Sequence, residues 1–138
     1  GDEKLLSKHS IPSLGELIRD FGDTAQVLSG LDLFIGVDTS VAHLSGAMGL
    51  ETWILLSYAA DWRWMEDRDD CPWYPTVRLF RQPRPGDWDS VLKTVGKELK
   101  KWMRKRGRTY TDSFSDDEVT AAASKKTLDI LRQFVEET

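Results

Sequence analysis

The sequence predicts an α/β fold in which a short parallel sheet of about three strands is flanked by helices. Two largely apolar segments, residues 31–37 and 52–56, suit strands that are buried on both faces. A helical pattern over residues 41–48, closed by Gly49, lies between them. Strand, polar turn, helix and strand in this order form a right-handed crossover between parallel strands. The expected architecture is therefore a partial three-layer α/β domain.

A short helix is predicted upstream of the first strand. Asp23 and Thr24 offer an N-cap, so we expect the helix to cover residues 25–29 and to end at Gly30.

Downstream, a long loop at residues 57–76 separates the second strand from a third strand at 77–80. Loops of this length in compact domains are usually functional or disordered, and this one, with three Trp and two Tyr, is a poor candidate for disorder. Asp87 then caps a long amphipathic helix. Its predicted apolar stripe consists of Trp88, Val91, Leu92, Val95, Leu99, Trp102 and Met103.

The predicted organisation has three parts. Residues 1–22 form a loop with one short helix, residues 23–108 form the α/β domain, and residues 109–138 form a linker and an amphipathic C-terminal helix. The 138 residues suit one compact domain. Because the sequence lacks an initiator Met and enters directly into Lys4-Leu5-Leu6, we interpret it as a piece of a longer protein.

Composition and net charge argue against several classes of function. The net charge of −4 argues against a general nucleic-acid binder. Seven basic residues at 97–108 are better explained by complementing a helix dipole. No apolar run is long enough for a signal peptide or a membrane span. The single cysteine, Cys71, forms no disulfide within the chain, which fits a reducing compartment, and we expect a cytoplasmic protein.

A candidate phosphate site follows the first predicted strand. In open α/β sheets, ligands bind beyond the carboxyl ends of strands, where helix N-termini present unpaired N–H groups. Asp38, Thr39 and Ser40 stand at that position, and His43 lies one turn into the helix. The alternative is that Asp38, Thr39 and Ser40 only cap the helix and that His43 is a core histidine.

Residues 23–88 resemble the bacterial glycosyltransferase family 9 (heptosyltransferase-like) domains, in the version that follows tetratricopeptide repeats in large bacterial proteins. The resemblance covers about half the chain. The matching residues are Asp23-Thr24-Ala25, Leu31-Asp32-Leu33, Asp38-Thr39-Ser40-Val41-Ala42-His43-Leu44, Gly46-Ala47, Gly49, Trp53-Ile54-Leu55-Leu56, Asp61-Trp62-Arg63-Trp64, Trp73-Tyr74-Pro75, Leu79-Phe80-Arg81-Gln82 and Gly86-Asp87-Trp88.

The resemblance implies the C-terminal half of a GT-B fold, two Rossmann-like domains of which the second binds the nucleotide-sugar donor. It implies that Asp38, Thr39, Ser40 and His43 bind the donor phosphates, although Ser40 stands where heptosyltransferases have glycine. The acceptor domain, which holds the family's catalytic base, would precede Gly1. No cofactor is expected, since the nucleotide sugar is the substrate.

Further candidate donor contacts lie in the aromatic loop: Tyr58, Asp61, Trp62 and Arg63. Trp62 or Trp64 would stack on a base or a sugar, and Arg63 would offset diphosphate charge. The alternative is that the Trp rings pack on the core and Arg63 pairs with a neighbouring carboxylate.

Asp67-Arg68-Asp69 formally matches the metal motif of another glycosyltransferase class, but GT-B-like enzymes need no bound metal, and no metal site is expected. The sequence therefore favours donor binding in support of hexosyl or heptosyl transfer by the full-length protein, with no turnover by this part alone. A non-catalytic scaffold module derived from the same fold is the alternative.

Overall fold

A computed structural model describes residues 13–15 and 18–107. The predicted linker and helix of residues 109–138, and most of the predicted N-terminal segment, lie outside these residues. The elements in chain order are helix α1 (Phe21–Ser29), strand β1 (Phe34–Val37), helix α2 (Ser40–Ala47), strand β2 (Thr52–Leu56), a 3-10 helix (Trp62–Trp64), strand β3 (Val77–Arg81) and helix α3 (Trp88–Lys105).

The three strands form one parallel sheet in the order β1-β2-β3, flanked by helices, which confirms the predicted fold class. Strand β2 occupies the predicted residues and is buried at all five positions. The prediction for β1 was wrong in extent and in burial. The strand begins only at Phe34, and Ile35 is 37% exposed. Since β1 is the first strand in the sheet order, it pairs on one side only within the described residues, and its apolar pattern overstated its burial.

Helix α1 begins at Phe21, four residues before the predicted start. The N-cap is Asp20, whose carboxylate accepts a hydrogen bond from Asp23 N at 2.9 Å. Asp23, the predicted cap, instead accepts bonds from Arg19, and this interaction lowers its pKa. Two aspartates three residues apart both suit an N-cap, and the sequence pattern chose the wrong one.

Helix α2 ends in a Schellman motif, as its terminal glycine predicts. Leu50 N donates to Ser45 O at 3.1 Å, and Gly49 N donates to Gly46 O at 3.0 Å. Gly49 has φ +70°, a conformation that glycine adopts without steric cost. Ser45 also contacts Thr52 at the start of β2, with their hydroxyl oxygens 2.6 Å apart. The helix is thus fixed at its C-terminal end to the strand that follows.

The cap and the apolar stripe of α3 are as predicted. Asp87 accepts a hydrogen bond from Ser90 N at 3.2 Å, and Arg84 lies 3.0 Å from the same carboxyl group. These contacts lower the pKa of Asp87, so the cap stays ionised. Val91 and Val95 are buried, and the other members of the stripe are half-buried.

The chain divides into two compact units, and strands β2 and β3 each contribute to both. The first unit runs to Ile54 and includes Asp70–Leu79; the second comprises Leu55–Asp69 and the residues from Phe80 onward. The buried apolar residues of the first unit are Leu28, Ala42, Trp53, Ile54, Cys71, Val77 and Leu79. Those of the second unit are Leu55, Leu56, Trp64, Phe80, Val91 and Val95.

Candidate functional site

The turn between β1 and α2 leaves the start of the helix without a side-chain cap. Thr39 is the N-cap residue in an extended conformation, but its side chain makes no capping hydrogen bond. Its hydroxyl lies 3.4 Å from Val37 O. The first backbone bond of the helix runs from His43 N to Thr39 O. The amide groups of the preceding turn are those that an α-helix leaves without an internal acceptor, and they suit an anion.

Two of the predicted phosphate-site residues lie close together. His43 Nε2 is 3.5 Å from Asp38 Oδ1, and both side chains are about one-third exposed, at 32% and 37%. Ser40 is exposed, and Thr39 is half-buried. The alternative of a core histidine therefore does not describe His43, because its ring reaches solvent beside an acidic side chain.

Tyr74 completes this cluster, and the sequence did not single it out as a site residue. Its hydroxyl is 3.1 Å from His43 Nδ1, although the two residues are 31 positions apart. The rings meet edge to face, with centroids 5.8 Å apart and an interplanar angle of 68°. Because the contact comes from the loop before β3, no local spacing in the sequence signals it.

The predicted donor contacts of the aromatic loop lie in the second unit. The sequence left open which Trp of this loop is accessible. Trp64 is fully buried, as the packing interpretation expects, whereas Trp62 is 70% exposed. The guanidinium of Arg63 lies over the Trp62 ring, 4.9 Å from its centroid. One aromatic surface is thus held at the protein surface with a cation against it.

The charge of Arg63 is already paired. Its Nη1 lies 2.8 Å from Asp61 Oδ1, and the same oxygen accepts from Arg63 N at 3.0 Å while capping the 3-10 helix. The alternative interpretation of Arg63, an ion pair with a neighbouring carboxylate, is therefore confirmed. Such an exposed pair contributes little to stability, but it orients both side chains.

Tyr58 is held through its backbone. Tyr58 N donates to Gln82 Oε1 at 3.1 Å, and Gly86 N donates to the same oxygen at 3.2 Å. Gln82 is 4% exposed, whereas Tyr58 is 54% exposed. Gln82 was not predicted to have a role, and the signal for it was weak: a polar residue directly after a strand and before a proline.

The arginines beside β3 have structural contacts. Arg81 Nη2 donates to the carbonyl oxygens of Trp64 and Met65. Met65 has φ +53°, which is unfavourable for a residue with a side chain. Arg81 therefore fixes the backbone where the 3-10 helix ends. Arg84 is largely exposed and pairs with Asp87.

Comparison with known proteins gives one match among curated proteins. The chain is 31% identical to Protein FlbA of Caulobacter vibrioides over 85 residues, which is 62% of this chain. The chain spans about one seventh of that relative's length, 14%. No family model matches the chain, and no solved structure does.

Two searches of the described residues add to this. No helix among them has both the length and the apolar character that a membrane crossing requires. In the same part of the chain, no three His, Cys, Asp or Glu side chains are grouped as metal ligands would be.

Proposed function

We propose that this chain is the donor-binding portion of a bacterial GT-B glycosyltransferase of the heptosyltransferase-like family 9, acting in the cytoplasm on a nucleotide diphosphate sugar. The observation that carries the proposal is the uncapped start of α2 directly after β1, with His43 and Asp38 beside it. The resemblance of residues 23–88 to that family adds the substrate class. The match to a small part of a larger relative is compatible with a domain of a longer protein.

In this proposal the amide groups of Ser40, Val41 and Ala42 receive the diphosphate. They lie at the positive end of the helix dipole, and the folded backbone orients them before a ligand binds. His43 adds a ring N–H donor or, when protonated, a positive charge. As the sugar is transferred by inverting displacement, negative charge develops on the departing diphosphate, and fixed donors stabilise that charge without reorganising. In the proposal, an acceptor domain of the full-length protein supplies the acceptor site and the base, so this chain alone binds but does not transfer.

The second unit offers an aromatic surface of its own at Trp62. Its exposed ring is suited to stacking on a nucleobase or a sugar face, and Arg63 keeps it in place through the contact on the ring. Because Arg63 is already paired with Asp61, its role in the proposal is to position the Trp62 ring and not to neutralise the phosphates.

The proposal is tested by ¹⁵N NMR titration of the 138-residue chain with UDP, CDP, ADP, GDP and inorganic pyrophosphate. We expect shifts at residues 38–45 with at least one nucleotide. A Ser40→Pro variant removes one amide donor at the first helical position, where proline is tolerated. It should weaken binding by roughly 10-fold or more, because hydrogen bonds to charged groups contribute about 1.5–3 kcal/mol.

Ser40→Ala is the matched control, since it removes the hydroxyl and keeps the amide. Its affinity should stay within about 3-fold of the unsubstituted chain, a change of about 0.6 kcal/mol. If no ligand shifts residues 38–45, the proposal is wrong. An equal loss of affinity in Ser40→Ala and Ser40→Pro would mean that the Ser40 hydroxyl, and not its backbone amide, binds the ligand.

One observation favours the scaffold alternative: the internal pairing of Arg63 with Asp61 removes a cation that the sequence led us to expect at the phosphates. A non-catalytic module would retain the fold and the exposed Trp62 while binding no nucleotide. The same titration separates the two functions, because a scaffold gives no saturable shifts with any of the five ligands.

A further inference from the structure

Three side chains of the first unit form a linked row. Asp38, His43 and Tyr74 follow one another through contacts of 3.5 Å and 3.1 Å, with both ring nitrogens of His43 engaged. Tyr74 is half-buried, so its ring is held by the protein around it. The row therefore restricts rotation of the His43 ring from both sides.

The chemistry of the two contacts indicates how the neutral ring is protonated. A carboxylate only accepts hydrogen bonds, so Asp38 favours a proton on His43 Nε2. Nδ1 is then an acceptor, and the Tyr74 hydroxyl, which can donate, fills that role. The tautomer with the proton on Nε2 suits both neighbours. In the other tautomer Nδ1–H can still donate to the Tyr74 hydroxyl, but Nε2 turns a lone pair toward the Asp38 carboxylate, so Asp38 favours the first.

Gly46 determines where the Tyr74 ring lies. A Cβ atom at Gly46 would be 2.7 Å from Tyr74 Cγ, closer than real Cβ atoms come to another atom, and 3.1 Å from Tyr74 Cβ, a tight contact. The base of the tyrosine ring is thus against Gly46, and its hydroxyl is at His43, one turn nearer the start of α2. The absence of a side chain at Gly46 gives the ring room to lie along the helix toward its N-terminus.

We infer that Tyr74 is a positioning residue for His43: its hydroxyl at Nδ1 holds the imidazole in the orientation that places Nε2 beside Asp38, near the amide groups that open α2. In that orientation Asp38 favours the proton on Nε2, and a ring released from Tyr74 loses this preference. Its importance for a nucleoside diphosphate rests on the proposed function above. An imidazole whose orientation is set by folding loses less conformational freedom when a phosphate group binds.

The test uses Tyr74→Phe, which keeps the ring against Gly46 and removes only the hydroxyl. Long-range ¹H–¹⁵N spectra report the tautomer of each histidine ring directly, and a His43→Gln variant assigns the signals. In spectra of the neutral ring, we expect His43 in the unsubstituted chain to carry its proton on Nε2. In Tyr74→Phe the Nδ1 shift should move toward that of a ring exchanging between both tautomers. A merely structural role for Tyr74 would leave these nitrogen shifts unchanged.

Nucleotide titration of the same two proteins gives the second measurement. We expect Tyr74→Phe to weaken nucleotide binding by about 3- to 10-fold, the loss of one ordinary hydrogen bond's contribution. If the His43 tautomer is the same in both proteins, or if both bind the nucleotide equally well, the inference is wrong. If the unsubstituted chain binds no nucleotide while the tautomer changes in Tyr74→Phe, the proposed function fails and the positioning of His43 stands.

Discussion

The turn after β1 and the loop after β2 both carry polar and aromatic residues directly after a strand, but their contacts are of opposite kinds. At the turn, His43 is held by Tyr74 from 31 residues away, and the backbone donors of α2 have no side-chain cap. In the loop, Arg63 and Asp61 satisfy each other two residues apart, and Asp61 also caps the 3-10 helix. The helix start at the turn therefore lacks a side-chain hydrogen bond, whereas in the loop the charged side chains pair with each other and the Trp62 ring stays exposed.

The largest expected effect separates the two Trp residues of the loop. Trp64→Ala removes a fully buried side chain and should lower the free energy of unfolding by about 3–5 kcal/mol. Trp62→Ala, at 70% exposure, should change it by less than about 0.5 kcal/mol. Urea denaturation followed by circular dichroism measures both. Comparable losses in the two variants would mean that Trp62 is part of the packing, which removes it as a ligand surface.

A medium effect on stability is expected at Gly46 in α2, the helix that follows the turn. Gly46→Ala places a methyl group against the Tyr74 ring and should cost about 1–3 kcal/mol, as overpacking does. Gly96→Ala in α3 is the matched control, because nothing lies within 4 Å of a Cβ at that position. Helix propensity predicts that Gly96→Ala is neutral or stabilising by up to about 1 kcal/mol. Equal stability changes in the two alanine variants, measured by thermal unfolding, would contradict the close contact.

The smallest effect is expected at Gln82, which ties the loop after β2 to the turn after β3. Gln82→Met leaves Tyr58 N and Gly86 N without their shared acceptor. Both residues are exposed and their amides can rebond to water, so the loss should be about 1 kcal/mol. Hydrogen exchange should accelerate at these two amides. The backbone N–H of residue 82, which donates to Leu56 O, should exchange at an unchanged rate. Faster exchange there as well would indicate a wider loss of the sheet.

The sequence predicted the parts of the fold that depend on short-range patterns. Strand β2 is buried at every position and apolar from Trp53 to Leu56, so its ends could be predicted from the sequence. The cap of α3 was also predictable, since Asp87 directly follows the Pro85-Gly86 turn after which the helix begins. The start of α1 was not, because Asp20 and Asp23 both suit a cap and only the folded chain selects one. Strand β1 was overextended because an apolar pattern does not show whether a strand lies at a sheet edge.

In the candidate site, too, some features follow from local sequence patterns and others depend on the folded chain. The proximity of Asp38 and His43 follows from local geometry, since they lie either side of a helix start. The contact with Tyr74 depends on how a long loop returns to α2, which no spacing encodes. The choice between Trp62 and Trp64 was undecidable for a related reason: residues two apart in a 3-10 turn point in different directions, and the core selects one of them.

The contact between Gly46 and Tyr74 also has an evolutionary consequence. The two positions share one volume, since a side chain at either occupies space that the other would need. Homologues with alanine or a larger residue at position 46 should therefore carry a smaller or differently placed residue at position 74. They would lose the phenol hydroxyl beside the histidine at the same time. Covariation of these two columns would record, across many sequences, the same geometry that one folded chain shows here.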